Sequence, residues 1–423
     1  MSSTKDSNAF IVIGLGYGDE GKGSVVDYLA RQHKVDLIVR FNGGPQAAHH
    51  VVSPEGVTHC FSQFGSGTLV SGVETFLSRF MLVDPLAITV ENDVLCGKGV
   101  TDALKRLTID KNCPVVTPFH RIINRMLETS RGEARHGSCG KGVGQAVSDL
   151  KRLGERALFV GDLFDRAKTK QKLDFLWRIK TDLAEQIVKE HPDNERSLGY
   201  LEEIKRTDYV DILAEAYDNF IREGGVRIVD ESRLAGLLAR DGNVVFEGAQ
   251  GVLLDPDKGL KPYVTKTNTT FQNAEKLMAG SSKKIIRIGV LRAYMIRHGA
   301  GPFVTEDKWL AQIIPDCHNG ENEWQGKFRI GWFDLVATRR AIEIAGYVDG
   351  LAMTNIDRLY NLDRTPVCTA YRTSAETCEP IYSREIKGIG NYVRFLEREL
   401  ENPISIISFG PSAKEKIKIK ALC

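Results

Sequence analysis

The sequence predicts an α/β protein with a large, mostly parallel central sheet that helices flank. Short apolar runs alternate with helical stretches along the chain, which is typical of a buried parallel sheet. The first run, residues 9–13, ends at a glycine-rich segment, and a helical pattern follows over about 22–31. A strand, a glycine loop and a helix in this order open a nucleotide-binding α/β unit.

The other predicted strands are short, apolar and bounded by turn residues or charges. A second strand over 36–41 runs into Asn42-Gly43-Gly44, and the remaining predicted strands are 157–160, 226–229, 244–246, 285–288, 351–353 and 404–407. The tail, 414–420, alternates like an edge strand, where lysines discourage aggregation.

A charge-dense stretch over 165–225 differs from the rest of the chain, because its Leu, Ile and Phe residues recur at helical spacing. We expect two or three amphipathic helices there, forming a helical subdomain or insertion within one large domain that spans 1–423. A charged helical face is more often solvated surface than a binding face.

Composition excludes several classes of protein. Lys+Arg 57 against Asp+Glu 55 gives a net charge of +2, which argues against a polycation that binds nucleic acid by bulk charge. The chain has no apolar run near the roughly 18 residues that span a bilayer, and residues 1–8 lack the apolar core of a signal peptide. The eight cysteines form no CxxC pair. We expect a cytoplasmic protein with no nucleic-acid or membrane partner.

The segment 16–23, GYGDEGKG, has the spacing of a phosphate-binding loop, with Gly23 where a Walker loop has Ser or Thr. Glycines let backbone N–H groups turn toward phosphate oxygens, and the helix start adds positive potential. Lys22 would supply a mobile point charge. Asp19 and Glu20 are unusual here, since carboxylates beside phosphate-binding amides are costly unless a cation or a proton transfer needs them. The alternative is a simple tight turn with surface acids.

Together with further segments, this loop resembles the adenylosuccinate synthetase family, whose signature is GDEGKG. Segments similar to the family's other motifs follow in the same order: 41–51 (FNGGPQAAHHV), 136–144 (HGSCGKGVG), 246–255 (FEGAQGVLLD), 262–265 (PYVT), 297–303 (RHGAGPF), 331–332 (GW), 355–357 (NID) and 408–411 (SFGP). The resemblance spans almost the whole chain. It implies a GTP-dependent ligase that joins aspartate to the 6-position of IMP through a 6-phosphoryl intermediate, giving adenylosuccinate, GDP and phosphate.

Such a reaction needs a base at the purine ring and a cation or hydrogen-bond donor at the phosphate. By resemblance, Asp19 is the base and a Mg²⁺ ligand, with the carbonyl of Ala48 as a further ligand. His49 is the general acid, although in isolation it would be an ordinary loop histidine, and Lys22 neutralises charge on the transferred group. GTP is the co-substrate, and the resemblance also implies a homodimer.

The resemblance further implies three groups of binding residues. The residues that bind GTP are Gly18, Glu20, Gly21, Gly23, Asp357, Ser408 and Gly410. The residues that bind the purine monophosphate are Gln46, Ser138, Cys139, Gln250 and Thr265. Lys327 and Arg329 match the loop that holds the amino acid. Asp357 reads guanine, because a carboxylate accepts from both N1–H and the exocyclic amine. His298 and His318 are interpreted as structural or surface residues.

Departures from the family pattern lie near the acceptor and amino-acid sites. The family usually has Trp, Asn, Thr and Lys at the positions of Tyr17, Gln46, Cys139 and Asn355. Its basic amino-acid loop is replaced by 322–329, NEWQGKFR, in which Trp324 either reshapes the pocket or packs the loop.

Two other hypotheses remain open at this point. One is a divergent paralogue that uses another 6-oxopurine nucleotide, such as dGMP, or another amino acid. The presence of Asp19 favours a substrate like IMP. The other is a non-catalytic GTP-binding protein, against which Asp19 and His49 together argue.

Overall fold

A ten-stranded sheet forms the centre of the described part of the chain, which in this computed structural model comprises residues 7–132, 135–316, 323–375 and 377–421. Its strands, in order across the sheet, are β17 (Lys416–Lys418), β16 (Ile404–Ser408), β13 (Gly350–Thr354), β9 (Lys284–Arg292), β1 (Asn8–Gly14), β8 (Asn243–Gly251), β2 (Val35–Arg40), β5 (Glu74–Leu77), β6 (Leu107–Asp110) and β7 (Arg227–Val229). Neighbours pair in parallel, except that the edge strand β17 is antiparallel to β16.

Smaller sheets surround this one. They are the hairpin of β3 (His49–Val52) and β4 (Thr58–Phe61), the ribbon of β10 (Met295–His298) and β11 (Phe328–Gly331), and the sheet of β12 (Phe333–Asp334), β14 (Thr365–Thr373) and β15 (Cys378–Ile386). The α-helices are α1 (Lys22–Gln32), α2 (Pro85–Gly97), α3 (Pro118–Ser130), α4 (Val143–Leu153), α5 (Arg166–Glu190), α6 (Glu195–Ile204), α7 (Tyr209–Glu223), α8 (Ser232–Leu238), α9 (Gln272–Leu277), α10 (Lys308–Ile313), α11 (Leu335–Ala345) and α12 (Ile389–Leu400).

The predicted fold class is confirmed. The strands β1, β2, β7, β8, β9, β13, β16 and β17 lie where apolar runs or the alternating tail predict them. The predicted strand at 157–160 is wrong: Phe159 makes only an isolated bridge to Pro114, and a 3-10 helix begins at Val160. Its apolar residues Leu158 and Val160 are buried against helices instead. The strands β5 and β6 are not predicted from the sequence, because polar residues interrupt their short apolar runs, ETFL and LTID.

Three amphipathic helices, α5 to α7, occupy most of 165–225. Their apolar residues, such as Leu173, Leu176 and Tyr217, share one buried cluster with Phe119 of α3 and Ile109 of β6. Whether this region is a subdomain stays a prediction. Within the described residues, every helix is too short or too polar to cross a lipid bilayer.

The carboxyl ends of the parallel strands carry the segments that resemble the family motifs. The phosphate loop follows β1, Asn42 follows β2, Gln250 ends β8, Asn355 follows β13, and Ser408 ends β16. In open α/β sheets, ligands bind at this edge. The parallel arrangement therefore gathers motifs that lie far apart in sequence.

A buried ion cluster joins three helices. His120 Nε2 of α3 lies 3.1 Å, and Lys180 Nζ of α5 lies 2.8 Å, from Oδ2 of Asp149 on α4. Burial raises the pKa of the Asp149 carboxyl, but the hydrogen bonds and charges of His120 and Lys180 outweigh it and lower that pKa to about 2. The charge on Asp149 therefore stabilises the folded state.

We expect Asp149→Asn to lower the free energy of unfolding by about 3 kcal/mol, because it leaves Lys180 buried without its counter-charge. Urea unfolding measures this, and the control is Asp211→Asn, which removes an exposed ion pair with Lys170 and should change stability little. Because the folded-state pKa is depressed, the wild-type advantage exists above the ordinary carboxyl pKa of 3.8 and disappears as the pH falls toward about 2. Equal losses in the two variants would contradict a stabilising role for the cluster.

Candidate active site

Glu20 lies inside the phosphate loop and fixes its shape. The Gly18 N–H donates to Glu20 Oε1 at 2.7 Å, and Lys22 Nζ donates to Oε2 at 2.6 Å. The carbonyl of Glu20 accepts from Thr354 Oγ1 at 2.6 Å. Glu20 and Lys22 are both 3% exposed. A buried carboxylate of the loop itself therefore pairs with Lys22, and the role of Lys22 in neutralising charge on the transferred group stays a prediction.

Asp19 has a left-handed backbone, with φ 57°, and its side chain is 32% exposed. Its Oδ2 lies 3.3 Å from His298 Nε2. Burial raises the pKa of Asp19, but His298, Lys22 and Arg292 together outweigh it and lower that pKa. Asp19 is thus ionised at neutral pH, as a base must be.

The end of β10 carries the His298 imidazole to the Asp19 carboxylate, and the interpretation of His298 as a structural or surface residue stays a prediction. His318 lies outside the described residues.

His49 belongs to a buried charge network at the ends of β2 and β8. Its Nδ1 lies 2.5 Å from Glu247 Oε1, and the Ser66 N–H donates to Glu247 Oε2 at 2.9 Å. Burial raises the pKa of Glu247, but the charge of Arg40 and the hydrogen bond from His49 lower it to about 2. Because Glu247 is ionised, the Nδ1–H of His49 must donate to it, which leaves Nε2 for a substrate.

Burial lowers the pKa of His49, and Glu247 offsets this only in part. The segment 41–51, which carries His49 and is called the histidine loop below, also contacts the start of α1. Gly23 lies so close to His49 that a Cβ added to Gly23 would be 2.8 Å from the Cβ of His49. The predicted acid and the phosphate loop are therefore neighbours.

Gln46 and Gln250 approach each other at the same edge. Asn42 joins their segments: its Oδ1 accepts from the Ala249 N–H at 2.7 Å, and its Nδ2 donates to the Ala249 carbonyl at 3.1 Å. Gln250 has a left-handed backbone, with φ 58°. The Oε1 atoms of Gln46 and Gln250 are buried without a hydrogen-bond partner among the described residues. Unsatisfied buried amide oxygens are costly in a core and expected where a ligand binds.

The predicted contacts to the nucleotide's 5′-phosphate lie on two adjoining segments. Ser138 Oγ accepts from Asn124 Nδ2 at 2.8 Å, and burial raises the pKa of the neighbouring Cys139 thiol. The Thr265 N–H donates to the Leu254 carbonyl at 2.8 Å. The next residue, Lys266, lies against Gly144 of α4. This contact brings the segment of Thr265 next to the segment that carries Ser138 and Cys139.

The predicted guanine site lies after β13 and β16. Burial raises the pKa of Asp357, whose Oδ1 is buried without a hydrogen-bond partner within the described ranges. Ser408 Oγ donates to the Gly410 carbonyl at 2.8 Å. The Tyr360 and Phe409 rings stack with centroids 6.2 Å apart, and Tyr360 is 53% exposed. An acceptor and an exposed aromatic surface therefore lie close together.

The amino-acid loop is held by contacts that the sequence did not predict. Arg329 donates from Nε to Glu306 Oε2 at 2.8 Å, and from Nη1 to the carbonyls of Gly299 and Gly301 at 3.1 and 2.9 Å. Much of its hydrogen-bonding capacity is thus used within the protein, whereas Lys327 is exposed.

Trp324 packs between loops. Its ring lies against Gly140, and the Arg125 guanidinium is 5.2 Å from the ring centroid. These contacts tie the amino-acid loop to the segment of Ser138 and Cys139.

Comparison with known proteins identifies the family. The sequence model of adenylosuccinate synthetase matches residues 11–390. Adenylosuccinate synthetase of Acidithiobacillus ferrooxidans is 33% identical over 446 residues, which cover 96% of this chain and 97% of that protein. The Cyanothece enzyme is 34% identical over 444 residues, covering 97% and 94%.

The chain belongs to the adenylosuccinate synthetase family.

Two solved structures share the fold. Fully ligated adenylosuccinate synthetase from Plasmodium falciparum superimposes with a TM-score of 0.81 at 24% identity, covering 98% of this chain and all of that one. The succinoaminodeoxyadenylate synthetase of cyanophage S-2L, bound to dGMP and dATP, gives a TM-score of 0.63 at 18% identity, covering 99% and 97%.

Members of the adenylosuccinate synthetase family join aspartate to IMP with hydrolysis of GTP, so the predicted ligase that forms a C–N bond is confirmed. The alternative of a paralogue with another nucleotide or amino acid is not favoured.

Sequence reasoning missed three charged residues at this site. Glu247 ends an otherwise apolar run, and a lone carboxylate in such a place is a usable signal. Arg40 of β2 lies opposite Glu247 on the neighbouring parallel strand β8. Arg292, at the end of β9, influences the pKa of both Asp19 and Asp357. Nothing in the local sequence distinguishes Arg40 or Arg292 from an ordinary strand arginine.

We expect Glu247→Gln to lower kcat by about 10- to 100-fold, because the amide cannot stabilise a proton on His49. The matched control is Glu91→Gln: Glu91 is also a buried carboxylate, and it accepts from the backbone N–H groups of Ser62 and Gln63 without contacting His49. Steady-state rates below the thermal transition of both variants measure the effect. A similar kcat loss in both would mean that the loop, rather than the proton on His49, is affected.

Proposed function

We propose that this chain joins aspartate to IMP with Asp19 as the base, His49 as the acid and GTP as the phosphoryl donor. The observation that carries the proposal is the pairing of an ionised Asp19 and a carboxylate-bound His49 with one phosphate loop. A base on one side and a donor on the other are what the activation of a lactam oxygen requires.

The first step activates the 6-oxygen of the purine. The Asp19 carboxylate takes the N1 proton of IMP, and the oxygen attacks the γ-phosphorus of GTP, from which GDP leaves. His49, protonated on both ring nitrogens, donates from Nε2 to a phosphoryl oxygen, and the Glu247 carboxylate stabilises the positive charge that the imidazolium carries before this donation. The charge of an approaching phosphate favours the protonated imidazole.

The second step forms the C–N bond. The aspartate amine attacks C6, the 6-oxygen leaves as part of inorganic phosphate, and the proton that the amine loses passes to this phosphate. Gln46 and Gln250 would contact the IMP nucleotide through their amide groups, whose oxygens lack a partner among the described residues. Lys327, with the remaining capacity of Arg329, would hold the carboxylates of aspartate.

Mg²⁺ fits the site by its donor chemistry. Asp19 offers a partly exposed carboxylate and Ala48 an exposed backbone segment. Among the described residues, no three His, Cys, Asp or Glu side chains form a metal cluster, but Mg²⁺ keeps waters and phosphate oxygens and needs only one or two carboxylates. When bound, it would neutralise charge on the phosphates.

Guanine would bind at Asp357, with its face toward Tyr360 and Phe409. Aromatic stacking is indifferent to base identity, so the carboxylate would provide the preference for GTP over ATP. We also propose that the enzyme works in the cytoplasm as a homodimer, as the resemblance implies.

IMP that carries ¹⁸O at its 6-oxygen tests the order of steps. We expect the label in the released phosphate, because the oxygen joins the γ-phosphorus before it leaves C6. Mass spectrometry of the phosphate measures this. Label that appears in water instead would mean that the amine displaces the oxygen directly.

We expect Asp19→Asn to lower turnover by about 10²- to 10⁴-fold, since the amide cannot take the N1 proton. Asn tolerates the left-handed backbone at this position, so the thermal midpoint should not change. The control is Asp193→Asn on the exposed turn before α6. Near-normal turnover by Asp19→Asn would refute the proposed base.

We expect Asp357→Asn to raise KM for GTP by about 10- to 100-fold, as the loss of charge-assisted hydrogen bonds predicts. KM for ATP should change much less, because adenine has no N1–H to donate. Parallel titrations of GTP, ITP and ATP measure the preference, with the exposed Asp363→Asn as the control. An unchanged ratio of GTP to ATP would remove Asp357 from the guanine site.

A further inference from the structure

We infer that His298 is a positioning residue for Asp19: the ion-pair contact of its Nε2 with Oδ2 orients the carboxylate so that the other oxygen faces the purine. The contact is 3.3 Å long, and the His298 side chain is 16% exposed. This inference rests on the proposed role of Asp19 as the base.

Asp19 gains from such support because, among the described residues, no hydrogen bond from its own loop reaches its carboxylate. It follows Gly18, whose N–H is used by Glu20, and its backbone is in the left-handed region. The side chain is 32% exposed and would rotate freely if only water contacted it. A reacting group that is out of position by about 1 Å can lose about 100-fold in rate.

His298 is itself held firmly. It is the last residue of β10 and pairs with Phe328 of β11. The two rings meet edge to face with centroids 4.8 Å apart, and the next residue, Gly299, donates its N–H to the Lys327 carbonyl at 3.0 Å. Groups on paired strands are placed more accurately than groups on loops.

The ribbon of β10 and β11 contacts the phosphate loop at two points. Beside His298, Arg297 lies over the Tyr17 ring, with the guanidinium 4.4 Å from the centroid. The same ribbon carries Arg329, and Lys327 immediately precedes β11. The base and the proposed amino-acid site are therefore attached to one rigid element, and His298 is the link to the base.

The test compares His298→Val with His298→Gln, using the exposed His191→Val as the matched control. We expect His298→Val to lower kcat by about 10- to 100-fold, with KM for IMP and GTP and the thermal midpoint nearly unchanged. The Gln side chain can still donate to Asp19 and should restore part of kcat. His191→Val should behave as the wild type.

Two results would overturn the inference. One is a kcat of His298→Val within about twofold of the wild type. The other is an equal loss in His298→Val and His298→Gln with a lowered thermal midpoint, which would indicate a purely structural role. Asp19→Asn, measured in parallel, distinguishes failure of the proposed role of Asp19 as the base from failure of the role of His298. If it keeps normal turnover, the proposed base fails; if it is inactive while His298→Val is normal, only the role of His298 fails.

Discussion

The buried negative charge of Glu247 is the constraint on which the site depends. A carboxylate that is 0% exposed is tolerated only when charges and hydrogen bonds surround it. Arg40 supplies the opposite charge from the next strand, and Ser66 and His49 supply hydrogen bonds. The histidine loop is thereby attached to the sheet, and its contact with α1 sets the distance between acid and phosphate loop.

Other charges at the carboxyl edge of the sheet are also paired within the protein. Lys22 is satisfied by Glu20 and Arg292 by Asp316, so the loops are connected by ion pairs that lie within the protein. Among the buried polar atoms without a partner in the described residues, Oε1 of Gln250 and Oδ1 of Asp357 belong to the residues proposed to bind the substrates.

The sequence predicted the sheet because runs of apolar residues indicate parallel strands, and each motif could be recognised because the residues within it are adjacent in sequence. The sequence did not predict contacts between segments that are far apart along the chain. Glu247 and His49 are 198 positions apart, and His298 meets Asp19 only through the register of β10 and β11. It also failed at 157–160, where apolar residues are buried by helices rather than by neighbouring strands. Local composition does not contain such information.

Glu20 has a consequence for anion selectivity. Its carboxylate already satisfies the Gly18 amide and the Lys22 ammonium, so the loop carries its own counter-ion and keeps its shape before any nucleotide arrives. A small free anion must compete with the Glu20 carboxylate through its charge alone. A nucleotide brings base and ribose contacts as well, so the arrangement of the loop favours a nucleotide over a small anion.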